Sequence, residues 1–285
     1  MPETILVVGA TGVLGGPVAH RLALDGFKVR VMSRSLDRLK KFDSNQFEAV
    51  QGDVENVESL SKALEGCTGV YISLQSDSGD WDFERRGAEN VSRVASEQGV
   101  KRISIISGAS TCKENAWFPM TKAKLEAENA LKASGIPYTI FRCTMFMDSL
   151  PSWVHSNKIY IIGDQPTKWH WIAAKDYASM VSKAFSTDEA ANKTFYIRGP
   201  EAWSFEEAFH IYASTGNKNV KVAKIPFWFA RILSWMPGNI MLRKVGLPIF
   251  QYFSKVSEMG DPTEANTLLG EPTTTLQAWS EASSE

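Results

Sequence analysis

TILVVGATGVLGGPVAHRLALDG, residues 4–26, decides the fold. Ile5-Leu6-Val7-Val8 is a continuous apolar run, too short for a helix and closed by glycine, which is how a strand buried on both faces reads. Beyond the glycines, Val13, Leu14, Val18 and Leu22 recur at helical spacing, and Asp25-Gly26 ends the run as glycine ends helices. Strand, turn and helix thus occupy Thr4 to Leu24. Working outward, the alternation repeats. Strands are predicted at Val29–Met32, Ala49–Gly52, Val70–Ser73, Ile103–Ile106 and Tyr138–Phe141, with helical or mixed segments between them. Alternation of this kind specifies an α/β fold, a doubly wound parallel sheet with helices on both faces. The helix before the last of these strands is well marked. Pro119 lies in its first turn, Met120, Ala123, Ala127, Ala130 and Leu131 form a stripe, and Ser134-Gly135 closes it.

Glycines at 9, 12 and 15 stand directly after the first strand and open the helix. At such a turn the first glycine permits the bend, the second lets the backbone approach a pyrophosphate, and the third lets helix and strand pack closely. The phosphates then sit at the helix N-terminus. Gly9, Thr11, Gly12, Val13, Leu14 and Gly15 are therefore expected to hold a dinucleotide. A site selective for NAD(H) would place a carboxylate at the end of the second strand, where this chain has Ser33-Arg34-Ser35. Arg34 is a planar cation suited to a 2′-phosphate and Ser33 a neutral donor, so NADP(H) is expected ahead of NAD(H). Asp53 and Val54 close the third strand. There a carboxylate and a backbone group can meet the adenine amine, although Asp53 reads equally as a turn or helix-cap residue.

The bulk properties narrow the classes. A chain of 285 residues with 44% hydrophobic composition can bury a large core. Its 31 basic and 32 acidic residues leave a net charge of −1 with no basic run, which argues against nucleic acid as a ligand. Cys67, Cys112 and Cys143 form no CxxC pair and suggest a reducing compartment. His20, His155, His170 and His210 lack metal-ligand spacing, so no metal is expected. The first strand follows Met1 without room for a secretory leader, and the expected location is cytoplasmic. Ile225–Met236 is the greasiest later stretch, but Arg231 interrupts it and Pro237-Gly238 stops it, short of the ~20 apolar residues that span a bilayer. It is expected to be lobe core or a substrate lid rather than a helix on a membrane surface.

Tryptophans crowd the second half, at 153, 169, 171, 203, 228, 235 and 279. The expected division is a dinucleotide-binding Rossmann core over 1–150 and a smaller C-terminal substrate lobe over 151–285, with segments near 170–200 returning to the core. The Ser/Glu-rich end is expected to be disordered. Since ligands sit outside the carboxyl ends of parallel strands, Ser73, Leu74 and Gln75 after the fourth strand and Cys143, Met145 and Phe146 after the sixth are expected to border the cofactor and substrate. Trp81, Trp117 and Phe118 would make that pocket aromatic and suit a flat or apolar molecule.

Together, Val8-Gly9-Ala10-Thr11-Gly12-Val13-Leu14-Gly15, Ser33-Arg34, Gly52-Asp53 and Phe118-Pro119-Met120-Thr121-Lys122-Ala123-Lys124 resemble the NmrA-like group of atypical short-chain dehydrogenases/reductases. Trp171 to Ala178 is similar to the segment by which these proteins re-enter the Rossmann core, and Phe195 to Pro200 to their late strand. In the wider superfamily a tyrosine four residues before a lysine transfers the proton, the lysine holds the nicotinamide ribose, and a serine after the fifth strand orients the substrate. By that resemblance Lys122 matches the lysine, Phe118 stands in the tyrosine's place, and Ala109 takes the serine's, with Ser107, expected to border the cofactor, and Ser110 beside it. The resemblance implies an NADPH-dependent reductase of an apolar organic substrate in which Lys122 serves as ribose ligand and acid/base. The alternative is a non-catalytic NADP(H)-binding redox sensor, regulator or assembly factor that acts through protein contacts.

Overall fold

The structure, a computed structural model, describes residues 3–42, 45–75, 79–215 and 220–283. In chain order its main elements are β1 (Thr4–Val8), α1 (Gly15–Leu24), β2 (Lys28–Ser33), β3 (Phe47–Gln51), α2 (Val57–Leu64), β4 (Gly69–Ile72), α3 (Phe83–Glu97), β5 (Arg102–Gly108), α4 (Pro119–Ala133) and β6 (Tyr138–Cys143). They continue with β7 (Met145–Phe146), β8 (Lys158–Ile162), β9 (Trp169–Ile172), α5 (Ala174–Phe185), β10 (Lys193–Ile197), β11 (Glu201–Trp203), α6 (Phe205–Ser214), β12 (Lys221–Ile225), α7 (Phe227–Ser234), α8 (Leu247–Phe253), α9 (Thr263–Leu269) and α10 (Leu276–Ala282).

The chain divides into two compact units. The first comprises Met1–Cys143, Ala174–Ile197 and Gly260–Glu271, the second Thr144–Ala173, Arg198–Met259 and Pro272–Glu285. In the first unit seven strands run in the order β10-β6-β5-β4-β1-β2-β3, all parallel, as the doubly wound reading requires. Ile5 to Val8 are buried, as a strand covered on both faces must be. The strand order reverses between β1 and β4, so the two connections leave in opposite directions and open a crevice at the carboxyl ends of these strands. The strands β2, β5 and β6 outrun the sequence reading. The β5–β6 ladder continues to the pair Gly108–Cys143, because Ser107 and Cys143 find buried partners there. The helix α1 starts at Gly15, later than the pattern suggested: Val13 is 57% exposed and belongs to the turn, while Val18, Ala19 and Leu22 face the sheet. Beside it, α5 is fixed by Arg21 Nη1 donating to Ser179 Oγ (2.8 Å) and Ser182 Oγ donating to Asp25 Oδ2 (2.6 Å).

The second unit contains a three-stranded sheet, β11-β9-β7, and the pair β12-β8. Aromatic rings form its core. Trp153 meets Phe205, Phe209 and Phe250 at centroid distances of 6.1, 5.7 and 5.4 Å, and Trp171 meets Phe205 edge-on at 5.8 Å. Such pairs add about 0.5–1.5 kcal/mol each to the burial of their area. The helix α6 starts with a full capping box, the Ser204 hydroxyl accepting from Glu207 N and the Glu207 carboxylate accepting from Ser204 N. Ile225–Met236 is not the core of this unit: Trp228, Phe229, Ile232, Trp235 and Met236 are all exposed. At the chain end α10 is ordered through Ala282, so the expectation of disorder falls on Ser284 and Glu285, outside the described residues. Among the described residues no helix is long and apolar enough to cross a membrane.

Candidate dinucleotide site

The glycine turn occupies the crevice between β1 and β4. Gly9 has φ +83°, and a Cβ there would lie 2.0 Å from the Ser73 carbonyl oxygen, so both conformation and space exclude any other residue. A Cβ on Gly15 would lie 2.2 Å from Gly9 O, which explains the close seat of α1 on β1. Gly12 differs. Its Cβ would meet only Gly9 O, at 3.3 Å, so the protein itself nearly accommodates a side chain. A side chain at Gly12 would stand beside the N-terminus of α1. There Gly16 N and Val18 N already donate to Gly12 O and Leu14 O and Pro17 has no N–H, so it is chiefly the positive end of the helix dipole that favours an anion. The residues present therefore fit a dinucleotide pyrophosphate.

Flanking this turn, Arg34 is exposed after β2, and among the described residues no carboxylate lies within ion-pair distance of it. Its loop is held by Gln51 Nε2 donating to Arg34 O (3.0 Å) and by Ser35 N donating to Ser33 Oγ (3.3 Å). Lys41, which the sequence did not single out, brings a second cation to the turn by donating from Nζ to Thr11 O (3.2 Å). No fixed spacing in the sequence signals it, because the loop after β2 must first fold back. Asp53 uses Oδ1 to accept from Glu55 N (3.0 Å), a turn role, and the carbonyl of buried Val54 accepts from Asn90 Nδ2 (2.9 Å). Across the crevice, Ser73 borders Gly9, Leu74 packs where a Gly87 side chain would stand, and Gln75 is exposed.

The helix α4 revises the sequence reading. Phe118 stands four residues before Lys122, a spacing that would put the two on one face of a helix. Phe118 instead caps the helix in extended conformation (φ −91°, ψ 126°), outside the range where a four-residue separation stacks side chains, and it is buried among Trp81 and Trp117 at 5.5 and 6.0 Å. The Lys122 side chain is 63% exposed and stands 3.9 Å from Glu126, on an open depression of about 650 Å³ that Asp82, Arg85 and Glu89 also line. Lys124 is the enclosed lysine, 17% exposed, with Nζ 2.5 Å from Glu84 Oε2. Its stem lies 3.7 Å from where a Gly108 Cβ would stand, and its charge acts on Cys143, so it serves the carboxyl ends of β5 and β6. Met120 stands four residues before it. With either lysine the tyrosine of the pattern is missing.

Ser107, expected at the cofactor, is turned inward. Its hydroxyl donates to Glu128 Oε1 (2.6 Å), and Glu128 is fully buried in a bidentate pair with Arg142 (2.9 and 2.7 Å). The helical stripe hid this, because an acid on a buried face has no sequence signature until its partner arrives from β6. Cys143 is buried beside Tyr177. Burial pushes its thiol well above the usual range, and the Lys124 charge only partly offsets this. Met145 and Phe146 lie half-buried in β7 of the second unit. Among the described residues no three His, Cys, Asp or Glu side chains cluster as metal ligands would.

A model of the NAD(P)H-binding family matches residues 9–188, from the first glycine of the turn through α5. The chain belongs to the NAD(P)H-binding family. The chain is 24% identical to the photosystem II assembly factor Ycf39 of Trieres chinensis, across 82% of this chain and 76% of the relative. It is 30% identical to the (4-alkanoyl-5-oxo-2,5-dihydrofuran-3-yl)methyl phosphate reductase of Streptomyces griseus, over 71% of this chain and 70% of that one. Its fold matches the triphenylmethane reductase of Citrobacter sp. crystallised with NADP(H), with a TM-score of 0.77, 20% identity and full coverage of both chains. The fold read from residues 4–26 and the cofactor class read from the glycine turn are those of this family.

Proposed function

We propose that this protein is an NADPH-dependent reductase of a flat or apolar organic substrate, with Lys124 in the role the sequence reading gave to Lys122. The observation that carries the reading is Lys124 itself, an enclosed lysine at the carboxyl ends of β5 and β6 in a domain whose glycine turn fits a pyrophosphate. In this reading Gly9, Thr11, Gly12, Val13, Leu14 and Gly15 line the pyrophosphate, and Arg34 with Lys41 bind the 2′-phosphate. Ser73, Leu74 and Gln75 border the nicotinamide half. Bound NADPH supplies the hydride. Lys124 holds the nicotinamide ribose and delivers the proton, its ammonium kept in position by Glu84. Trp81 and Trp117, packed on buried Phe118, offer the substrate rings to stack on. The three cysteines are free, in keeping with a reducing, cytoplasmic setting.

A second reading, a non-catalytic NADP(H)-binding factor that works through protein contacts, is favoured by the lack of a tyrosine at both Phe118 and Met120 and by the likeness to an assembly factor. One experiment separates the two. Purified protein is mixed with NADPH and a panel of quinones, enals and aromatic ketones, and the loss of NADPH absorbance is followed. Turnover abolished by Lys124→Ala is expected of the reductase. Tight NADPH binding with no turnover of any member of the panel would replace it with the second reading.

A further inference from the structure

The helix α7, Phe227-Trp228-Phe229-Ala230-Arg231-Ile232-Leu233-Ser234, is inside out. Its buried positions are the small Ala230 and Ser234, one turn apart. Phe227 anchors its start, so close to Gly163 that a Cβ there would overlap the ring at 1.9 Å. The large apolar residues point to solvent: Trp228 is 65% exposed and Ile232 58%, and Phe229 is exposed with them. Past the helix, Trp235 (73% exposed), Met236, Ile240 and Met241 continue the patch through a turn held by Asn239 Nδ2 donating to Leu233 O (3.0 Å). Seven large apolar side chains within fourteen residues, all in water, exceed the scattered exposure that surfaces ordinarily carry.

The charges of this stretch have one sign. Between Glu207 and Glu258 the sequence has no Asp or Glu, yet it carries Lys218, Lys221, Lys224, Arg231, Arg243, Lys244 and Lys255. Lys224 is spent on Asp164 and Glu206. Arg231, Arg243 and Lys244 flank the apolar patch, and among the described residues no carboxylate lies within ion-pair distance of them. The Arg243 guanidinium lies over the Trp235 ring at 4.9 Å, which keeps cation and ring at one level. We infer that Trp228, Phe229, Ile232, Trp235, Met236, Ile240 and Met241 form a docking surface for an anionic membrane, with Arg231, Arg243 and Lys244 at the headgroups. The stretch is too short to span and has the make-up of a surface-lying element: tryptophans suited to the interface and cations around an apolar face. An unbroken positive sign matches an extended anionic surface better than a protein partner of mixed charge. Each cation at such a surface strengthens binding about fivefold.

The test uses the full-length protein with phosphatidylcholine vesicles, alone and with about a third of the lipid as phosphatidylserine. Flotation and tryptophan emission are recorded at low and high salt. The expected result is binding to the anionic vesicles with a blue shift, weakened by salt and absent on phosphatidylcholine alone. Arg231→Gln/Arg243→Gln/Lys244→Gln should reduce binding about a hundredfold, and Trp228→Ala/Trp235→Ala at least tenfold, while thermal unfolding and NADPH affinity stay as in the parent. Vesicle binding that neither variant changes would overturn the assignment of the surface, and no binding to anionic vesicles would overturn the proposal outright. So would a concentration-dependent dimer in solution that Ile232→Glu dissolves, since the patch would then be an interface between copies of this chain.

Discussion

The glycine turn and the first half of α4 lie at the same end of one sheet, but they obey different kinds of rule. At the turn, Gly15 is fixed by Gly9 O, a backbone contact that any chain making this strand–turn–helix would make, and Gly9 by its positive φ, to which the Ser73 carbonyl at the end of β4 adds a steric wall. In α4 nothing local distinguishes Lys122 from Lys124. One stands in water over the acids of α3 and the other is drawn under them to Glu84, and the difference is a rotation of two residues on the helix. A motif whose requirement is backbone geometry survives being read as text, whereas one whose requirement is a side-chain direction depends on which neighbour packs against the helix.

The sharpest way to break this comparison lies within the turn. Gly9→Val would force a side chain against Ser73 O at positive φ, and we expect no folded protein, a loss beyond about 3 kcal/mol. Gly12→Val, with only Gly9 O at 3.3 Å, should give a folded protein with native circular dichroism and no measurable NADPH binding. If both variants fold and bind, the pyrophosphate does not sit on this turn.

Next in size is the lysine pair. If Lys124 delivers the proton, Lys124→Ala lowers turnover about 10²- to 10⁴-fold, and Lys122→Ala, on an exposed side chain, changes it less than about twofold. Equal losses would restore the sequence register and place the error in the helix geometry. Met120→Tyr sharpens the point: it sets a phenol one turn before Lys124 and should raise reduction of simple ketones. Phe118→Tyr, at a buried cap outside the helix, should not.

A smaller effect belongs to Arg34. In the proposed reading Arg34 meets a 2′-phosphate, and a charge-assisted contact of that kind is worth ~1.5–3 kcal/mol, so Arg34→Ala should cost NADPH roughly ten- to a hundredfold in affinity and leave NADH unchanged. The residual preference of the variant measures Lys41, and none remaining in Arg34→Ala/Lys41→Ala would assign the selectivity to these two cations. The smallest effect concerns the thiols. Burial raises Cys143, so near neutral pH it stays protonated, and its thiolate forms only as the pH climbs past its elevated value. Brief alkylation of the native protein, read by mass spectrometry, should label half-buried Cys112 and spare Cys67 and Cys143 until the chain is unfolded. Early labelling of Cys143 would show that the end of β6 opens in solution.

The sequence by itself determined the parallel α/β architecture, the turn at Gly9–Gly15, the family and the bounds of α4, because burial of strands on both faces, glycine sterics and proline at a helix start act within a few residues. Only the tertiary structure decided the rest. Lys41 reaches Thr11 after its loop folds back, Ser107 turns to Glu128 because Arg142 holds that acid from the neighbouring strand, and Lys124 rather than Lys122 is enclosed because Glu84 approaches from α3. The same holds for Ile225–Met236, which reads as lobe core or a substrate lid in the text yet has only Ala230 and Ser234 as the buried face of its helix. Periodicity counts apolar residues, but which side of a helix meets its unit is settled by the shape it must fit, here a surface close enough to admit only small side chains.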